Sequence, residues 1–496
     1  MQLTASSTHL NVTNATTVKP ESFIAHRHYY PRVLNAQIHP MVSFFMRMGN
    51  RRIVDRYCHL NPRVSPKFLL DLLEQPTHHL RWAGADLLCT TTATGNRRLV
   101  VVETNSCPSG NKSMPLLDEN DELGGYRTVI ENAFLPQLAR RGNKVKGKLA
   151  VIYDKNHVEA SGYAAAIADL TDEEVFLAPW PDGASDAPCR FTDGILEVRD
   201  SNGTWHTIRA AFRYVTQRPW NRIPVFTRTR ILNPIIGCLA GGRNKLIASK
   251  AYEIQNGIMA DEGLSITIPE TIPDVSKNEV PLWVARFGGH AVIKVPYSNA
   301  GQGVYPILSD TDLDAFMDLR HTYDRFVVQS LVGNYEWSSS ERAGRFYHVG
   351  TIPNRLGHIF VSDLRMSVCA GKTGMTPVAV YSRQAPLPLP RNIEDVKDPW
   401  EVLGTNLSKK SDSGDWMADT DRLLLMDRRD FNQLGLGLDD LVEAYIQTVL
   451  SVKAIDSMAN SLLTTKGALR MKLFASLDED ATLLDELKNG QAHDSV

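Results

Sequence analysis

The most informative segment of this chain reads Val100-Val101-Val102-Glu103-Thr104-Asn105-Ser106-Cys107-Pro108-Ser109-Gly110, an apolar strand that ends in a carboxylate and an amide. Because alternate residues of a strand share a face, Glu103 and Asn105 can direct oxygen atoms at one point. Oxygen ligands of this kind suit Mg²⁺. A single Glu-x-Asn pattern is more often an ordinary solvated sheet face, so the metal prediction depends on motifs elsewhere in the chain.

Asp86 provides a third oxygen ligand. It ends the segment Arg81-Trp82-Ala83-Gly84-Ala85-Asp86 and precedes apolar residues. If this segment and the one that runs up to Glu103 pair as antiparallel strands across the turn Thr92-Ala93-Thr94-Gly95-Asn96, Asp86 arrives beside the other two ligands. The sequence therefore predicts a divalent metal site formed by Asp86, Glu103 and Asn105.

Composition favours a globular protein with small-molecule partners. The chain has 496 residues, 43% hydrophobic and 22% charged, and 54 Lys and Arg nearly balance 56 Asp and Glu for a net charge of -2. This length predicts several compact units, and the near-neutral charge argues against nucleic acid or a membrane surface as a partner. No segment reaches the length of a bilayer span, and six singly placed cysteines predict reduced thiols in a cytoplasmic protein.

Apolar periodicity outlines the secondary structure around these motifs. Strand, helix and strand signals follow one another at Lys148–Asp154, Glu159–Leu170 and Glu174–Pro179, which predicts an α/β unit with a parallel sheet. Leu438–Leu463 predicts one long amphipathic helix.

Lys294 lies on a short apolar strand, Val292-Ile293-Lys294-Val295-Pro296, directly before the loop Tyr297-Ser298-Asn299-Ala300-Gly301-Gln302-Gly303-Val304. A lysine followed by a loop whose glycines allow backbone N–H groups to approach closely is suited to holding a triphosphate. The segment is neither a Walker loop nor a Rossmann turn, because no Gly-Lys-Ser or Gly-Lys-Thr follows. An ordinary hairpin turn remains the alternative interpretation of these glycines.

The order of these elements resembles the ATP-grasp superfamily. A lysine before a helix, the lysine strand, the glycine loop, a helix, the strand Val327-Val328-Gln329-Ser330-Leu331-Val332 and the later Asp363-Leu364-Arg365 follow that family's order, in which ATP is clasped between two α+β subdomains. The metal trio comes before the lysines here, which resembles the circularly permuted ATP-grasp enzymes such as eukaryotic-type glutathione synthetase and glutathionylspermidine synthetase. The resemblance implies ATP and Mg²⁺ as cofactors, with Mn²⁺ as a substitute, and a homodimer.

The resemblance also implies roles for individual residues. The two ATP lysines are Lys294 and either Lys245 or Lys250. Arg365 faces the transferred phosphate, and Asn406 matches an asparagine that follows it in the family. Arg81 is the candidate for a phosphate-holding arginine, although its spacing to Asp86 differs from the family's tight Arg-x-Asp. The remaining ATP contacts are the lid Ser298, Asn299, Ala300, Gly301, Gln302, Gly303 and Val304, the adenine linker Gln329, Ser330, Leu331 and Val332, and the ribose ligand Glu336. Judged singly, each charged residue could instead be a surface charge or a salt-bridge partner.

The predicted fold class is α/β (α+β): an ATP-grasp fold with a circularly permuted element order, a Rossmann-like α/β substrate domain and N-terminal helices. The expected units are a mobile leader at 1–22, N-terminal helices and metal strands at 23–145, the Rossmann-like domain at 146–240, the nucleotide-binding subdomain at 241–335, the remaining core and C-terminal helix at 336–470, and an acidic tail that frays at 471–496.

The function implied is an ADP-forming carboxylate-amine ligase that joins a small carboxylic acid to an amine or amino acid through an acyl phosphate. A small-molecule kinase on the same scaffold and a nucleotide-binding module without chemistry are the alternatives. Cys107 is expected to lie below the site rather than to act as a nucleophile. Candidate residues for acid recognition are Ser106, Ser109, Asn111, Lys112, Arg213 and Arg218, the two arginines having ion-paired scaffold roles as the alternative.

Overall fold

The computed structural model describes residues 14–139, 145–181, 186–215, 222–298, 303–342, 344–410 and 416–492. The strands in chain order are β1 Thr16–Val18, β2 Trp82–Thr92, β3 Arg97–Asn105, β4 Lys148–Tyr153, β5 Val175–Pro179, β6 Cys189–Thr192, β7 Ile195–Arg199, β8 Trp205–Tyr214, β9 Arg230–Leu232, β10 Thr271–Ser276, β11 Ala291–Lys294, β12 Val304–Ile307, β13 Arg325–Ser330, β14 Phe346–His348, β15 Ser362–Gly371, β16 Gly374–Gln384, β17 Ser408–Lys410, β18 Trp416–Ala418 and β19 Leu423–Leu424.

The α-helices are α1 Ala25–His28, α2 Pro31–Leu34, α3 Pro40–Met46, α4 Asn50–Leu60, α5 Pro66–Glu74, α6 Gly124–Val129, α7 Leu135–Ala139, α8 His157–Thr171, α9 Lys245–Met259, α10 Val280–Arg286, α11 Asp310–Asp318, α12 Pro399–Leu403, α13 Asp430–Gln433, α14 Leu438–Leu462, α15 Met471–Leu477 and α16 Ala481–Ala492. The mixed α/β class predicted from the sequence is confirmed. None of the helices in the described ranges is long and apolar enough to cross a membrane.

A seven-stranded sheet contains the predicted α/β unit. Its order is β1-β5-β4-β8-β7-β6, with β9 beside β8. β4 pairs in parallel with both β5 and β8, and α8 connects β4 to β5. The strand-helix-strand prediction for this part of the chain is therefore confirmed. The carboxyl ends of β4 and β8 lie at one edge, which is the edge where such sheets usually bind ligands.

A six-stranded antiparallel sheet carries the predicted metal motif. Its order is β14-β2-β15-β16-β19, with β3 paired to β2. β2 and β3 form the hairpin expected across residues 92–96, with Asp86 opposite Glu103 and Gly84 opposite Asn105. The long helix α14 packs on this sheet, where Thr104 Oγ1 donates to Ser451 Oγ at 3.1 Å.

A third sheet, β10-β13-β11-β12, carries Lys294 and has a hydrophobic core of its own. All of its pairings are antiparallel. Phe287, Ile293, Phe316 and Val328 are buried between the sheet and the helices α10 and α11. We call this unit, residues 271–330, the small domain.

Both chain ends contain more structure than their composition suggests. In the leader expected to be mobile, β1 pairs antiparallel with β5, while residues 1–13 lie outside the described ranges. The tail expected to fray forms α15 and α16. Phe474, Leu483 and Leu487 are buried in the main core, so three apolar side chains attach a segment that is otherwise acidic.

Candidate functional site

The predicted ligands share one face of the six-stranded sheet. Asp86 and Glu103 are direct cross-strand partners, and Asn105 follows Glu103 by two residues. Arg365 on β15 is opposite Asp86 on its other side. Because side chains that face each other across strands lie on the same side of a sheet, the sequence motif and Arg365 converge there.

Asp86 and Arg365 form a buried bidentate ion pair. Arg365 Nε and Nη2 donate to the two Asp86 oxygens at 2.5 and 2.6 Å, and Arg383 Nη2 donates to Asp86 Oδ2 at 3.0 Å. Burial raises the pKa of the Asp86 carboxyl, but the opposing charges of Arg365 and Arg383 outweigh burial and hold that pKa well below its usual value. Asp363 shares Arg383. The sequence-based roles of metal ligand and phosphate cation thus fall on two residues that contact each other.

Glu103 and Asn105 are held by cations from the segment around the start of α9. Lys245 Nζ lies 3.4 Å from Glu103 Oε2, and Arg243 Nη1 donates to Asn105 Oδ1 at 2.9 Å. Burial raises the pKa of Glu103, but the charges of Lys245, Arg243 and Lys294 together outweigh that effect, so the pKa lies below its usual value. The amide nitrogen of Asn105 is buried without a hydrogen-bond partner among the described residues.

Lys294 connects the small domain to the strand that carries Glu103 and Asn105. Its Nζ donates to Gln329 Oε1 at 2.6 Å and to the carbonyl of Val102 on β3 at 3.3 Å. Burial lowers the pKa of Lys294 to about 8, and the carboxylate of Glu103 acts against that lowering. Lys294 is 5% exposed, so it is a cation inserted between two sheets rather than a solvated side chain.

The glycine loop is described only at its two ends. Ser298 accepts a hydrogen bond from Lys245 Nζ through its carbonyl at 2.8 Å, and the carbonyl of Gly303, a residue with φ +69°, accepts from the Val295 N–H at 2.7 Å. The predicted lid residues Asn299, Ala300, Gly301 and Gln302 lie outside the described residues.

Of the two candidate lysines at α9, only one faces the cluster. Lys250 Nζ donates to the carbonyl of Leu477 at 2.6 Å and lies 3.5 Å from Asp274. Lys245 contacts both Glu103 and the loop end, so the geometry favours Lys245 as the partner of Lys294.

These groups enclose a small cavity between the six-stranded sheet and the small domain. Glu103, Lys245, Lys294, Gln329 and Tyr252 are among its lining residues. Its volume is about 30 Å³, space for about two water molecules. A nucleotide could therefore enter only if the small domain and the glycine loop move away from β3.

Other predicted ATP contacts have partners within the protein. In the linker, the N–H groups of Ser330 and Leu331 donate to the Glu270 carbonyl and to Ser339 Oγ. Glu336 is exposed and pairs with Arg391 at 3.2 Å. The geometry in this conformation thus does not show a free linker edge for adenine.

Arg81 lies five residues from Asp86 along β2, away from the cluster. Its guanidinium donates to the carbonyls of Thr77, Asn132 and Ala370, so it stabilises the chain around it rather than facing the site. Asn406 follows Thr405, whose hydroxyl donates to Asp363 Oδ2 at 2.8 Å, which connects this segment to the network of Asp86 and Arg365.

The predicted acid-recognition residues are largely committed to buried contacts. Glu159 on α8 accepts from Ser109 Oγ at 2.6 Å and from the N–H groups of Gly110 and Asn111 at 2.9 and 3.0 Å. Lys112 Nζ lies 4.0 Å from the same carboxylate. Glu159 is fully buried and attaches the loop after β3 to the seven-stranded sheet.

Arg213, one of the two predicted arginines, gives no free recognition group. Arg213 is fully buried and donates to the carbonyls of Asn233 and Val215, and Arg218 lies outside the described residues. Ser106 is also fully buried and lies 3.2 Å from Cys238 Sγ. Cys107 is buried beneath the site with its Sγ donating to the Arg213 carbonyl, and burial raises its pKa to about 11.

Three cations at the site were not singled out from the sequence, and one of them, Arg383 on β16, donates to Asp86. Arg243 precedes α9 and contacts Asn105, and Lys155 lies at the carboxyl end of β4. Lys155 is half-buried, and burial together with the charges of Arg243 and Arg365 lowers its pKa to about 8. Its place after a parallel strand was the available signal, because β4 itself was predicted.

The oxygen atoms of Asp86, Glu103 and Asn105 are ligands of the type that a hard divalent cation prefers. In the described ranges no three His, Cys, Asp or Glu side chains form a metal-binding group by themselves, so Asp86 and Glu103 would need the amide oxygen of Asn105 as the third ligand. Each of the three oxygen groups now contacts an Arg or Lys. A bound cation would replace part of that positive charge.

No protein-family model matches the sequence, and the comparison with curated proteins finds no match. The chain is similar in structure to a RimK domain ATP-grasp protein from Sphaerobacter thermophilus, at 16% identity over 47% of this chain and 90% of that chain with a TM-score of 0.28. It is also similar to a glutathione synthetase-like effector from Globodera pallida, at 8% identity over 69% and 82% with a TM-score of 0.36. A third similar structure is N5-carboxyaminoimidazole synthetase from Staphylococcus aureus complexed with ADP, at 11% identity over 51% and 73% with a TM-score of 0.23. The solved structures to which this chain is similar are thus those of ATP-grasp proteins.

Proposed function

We propose that this protein is a circularly permuted ATP-grasp ligase, ADP-forming, that joins a small carboxylic acid to an amine. One observation carries the proposal. Glu103, from the early part of the chain, lies 3.4 Å from Lys245, and its charge acts on Lys294. Both lysines come from the later part of the chain. Two distant stretches of sequence therefore form one charged cleft between a large sheet and a separately folded small domain.

The residues of the cleft can be given roles in this reaction. Lys245 and Lys294 would donate to the phosphate oxygens of ATP, while Arg365 would offset charge on the transferring phosphoryl group. Mg²⁺, held by Asp86, Glu103 and Asn105, would supply further positive charge to the phosphates. The acid's carboxylate attacks the γ-phosphorus and ADP leaves. The amine then attacks the carbonyl carbon of the resulting acyl phosphate, and inorganic phosphate and a proton leave as the amide bond forms.

The acid substrate would lie where the two large sheets meet. Lys155 is the cation at the carboxyl end of β4, and the charges of Arg243 and Arg365 act on it. A carboxylate placed there would be attracted to Lys155 and would be close to the phosphate end of the cleft. The glycine loop would exclude water, which protects the acyl phosphate from hydrolysis. All six cysteines are free, which fits a cytoplasmic enzyme.

The test is incubation with ATP, Mg²⁺ and a panel of small acids, with and without hydroxylamine. A ligase gives acid-dependent ADP and a hydroxamate, whereas a stable phosphorylated acid would identify a kinase. Lys294→Met should abolish ADP formation. Lys277→Met is the matched control on the small domain, because Lys277 Nζ donates to the Leu319 carbonyl outside the cleft. The ligase proposal fails if no acid produces ADP, or if Lys294→Met retains full activity.

A further inference from the structure

The segment that runs from the end of α15 into α16 contacts α9 and the start of the glycine loop, the two elements that carry the groups proposed to face the nucleotide. We call residues 477–486 the C-terminal strap. Asp478 is fully buried, and its Oδ2 accepts from Asn244 Nδ2 at 2.9 Å and from the hydroxyl of Tyr297. Asn244 begins α9 and Tyr297 begins the glycine loop, so one carboxylate joins two segments that are 53 residues apart.

Both donors are next to a contact that the proposed reaction needs. Asn244 caps α9, with its Oδ1 accepting from the N–H groups of Leu246 and Ile247 at 3.1 Å each. The first residue of α9 is Lys245, whose Nζ donates to the Ser298 carbonyl, and Ser298 directly follows Tyr297. The two bonds to Asp478 therefore lie one residue away from each end of the contact between Lys245 and Ser298.

The rest of the strap is anchored on both sides of the cleft. Lys250 Nζ, on α9, donates to the Leu477 carbonyl at 2.6 Å. On the small domain, Arg325 Nη2 lies 3.3 Å from Glu479 Oε2, and the Tyr323 hydroxyl donates to Glu486 at 3.4 Å. The buried Leu483 attaches the same segment to the main core. The strap thus connects the main body, α9 and the small domain.

From this geometry we infer that Asp478 is a positioning residue for nucleotide binding: through Asn244 and Tyr297 it sets the distance between Lys245 and the base of the glycine loop. The inference rests on the proposed function, because it assigns the strap to the same cleft. Removing one of the two bonds frees the loop base relative to α9. Lys245 and the base of the glycine loop are then no longer held at the distance that suits the phosphates, so nucleotide binding weakens. The turnover rate of enzyme that has bound ATP changes little.

The experiment compares Tyr297→Phe, which removes a single hydroxyl, with Asp478→Asn, in the full-length chain. Asp485→Asn is the matched control, because Asp485 is on the same strap, is 70% exposed and pairs only locally with Lys488 among the described residues. Binding of Mg²⁺ and fluorescently labelled ADP is titrated, kcat and KM for ATP are measured with an active acid, and amide hydrogen exchange is followed by mass spectrometry.

We expect both variants to bind ADP at least tenfold more weakly, with KM for ATP raised in parallel and kcat changed less than threefold. Peptides covering 244–250 and 294–304 should exchange faster, whereas a peptide over 148–153 should not. Asp485→Asn should bind within twofold of the wild type. Unchanged ADP affinity and exchange in Tyr297→Phe would overturn the inference, and so would faster exchange throughout the chain, which would report general destabilisation.

The two proposals fail in distinguishable ways. If the wild-type protein binds neither ADP nor ATP, the proposed function is wrong, and the exchange data alone decide whether the strap holds α9 to the loop base. If the wild type binds nucleotide and Tyr297→Phe binds it equally well, the function stands and the positioning role of Asp478 is wrong.

Discussion

Replacing Asp86 with asparagine tests the most densely paired group of the site. Asp86 accepts three charge-assisted hydrogen bonds, two from Arg365 at 2.5 and 2.6 Å and one from Arg383 at 3.0 Å. The side chains of Asp86 and Arg365 are each only 13% exposed. Asp86→Asn keeps the shape but removes the charge, which leaves two buried guanidinium groups facing a neutral amide.

The expected loss in the free energy of unfolding depends on how deeply the ion pair is buried. Removing one partner of a buried ion pair typically costs about 3–5 kcal/mol, because the other charge remains desolvated. Arg383 retains Asp363, which places the expected loss for Asp86→Asn near the lower figure, at about 3 kcal/mol. Glu103 is 26% exposed and lies 3.4 Å from its lysine, so Glu103→Gln should cost only about 1 kcal/mol or less.

Urea unfolding at pH 7 measures these losses, by linear extrapolation of the free energy of unfolding. The matched control is Asp439→Asn, because Asp439 also makes a 2.5 Å contact to an arginine, Arg56, but both side chains are more than 40% exposed. The control should lose about 1 kcal/mol or less. If Asp86→Asn loses no more than Asp439→Asn, the buried ion pair between Asp86 and Arg365 does not stabilise the protein as described.

Three further predictions follow from other buried groups. Burial raises the pKa of Glu341 from 4.5 to about 7. The stability contributed by its protonated form is therefore present below pH 4.5 and is lost as the pH rises through 7. In urea unfolding, the wild type should lose about 3 kcal/mol of unfolding free energy between pH 4.5 and 8 relative to Glu341→Gln. Glu159→Gln should lower the free energy of unfolding by about 2 kcal/mol, because the carboxylate accepts from the Gly110 N–H and from neighbouring donors, and an unchanged urea midpoint would contradict this. Gly242→Ala should destabilise the protein by about 1–3 kcal/mol, since a Cβ there would lie 2.5 Å from its nearest side-chain atom. Gly257→Ala in helix α9 would place its Cβ with nothing within 4 Å and should stabilise the protein by up to about 1 kcal/mol. Equal shifts in melting temperature for the two variants would refute the packing argument.

Local patterns were enough to predict the elements and the pairing that brings the metal trio together. The turn at 92–96 is flanked by two strand signals, so the hairpin follows from short-range patterns. The exact alignment does not, because the register shifts between Asp86 and Leu87, and this irregularity places Asp86 opposite Glu103 rather than Val102. The parallel α/β unit and α14 were also predicted from local patterns, since periodicity repeats over many residues.

Side-chain partners across long sequence separations could not be read in this way. Nothing local to Glu159 shows that it accepts hydrogen bonds from a loop 48 residues earlier, and nothing local to Asp478 shows that it meets Asn244 and Tyr297. Composition was misleading for the tail, because its acidic residues outnumber the few apolar positions that bury it. Arg81 was given a phosphate role by family resemblance despite its different spacing to Asp86, whereas its guanidinium donates to backbone carbonyls.

The charges of the cleft explain how the small domain can both close and open. Burying Lys294 is unfavourable, as its pKa of about 8 shows, and the carboxylate of Glu103 opposes that cost. The small domain has its own hydrophobic core, but its residues Tyr323 and Val327 are buried in the main core, so a movement of the domain would also expose these two side chains. The small domain is held against the main body by these apolar contacts and by polar ones: the bond from Lys294 to the Val102 carbonyl, the contact of Lys245 with Ser298, and the strap. Phosphate oxygens would offer both lysines stronger acceptors than a carbonyl does, since hydrogen bonds to ionised groups are the stronger ones. Exchange of these carbonyl contacts for phosphate contacts would let the cleft open around a nucleotide without leaving either lysine buried and unpaired.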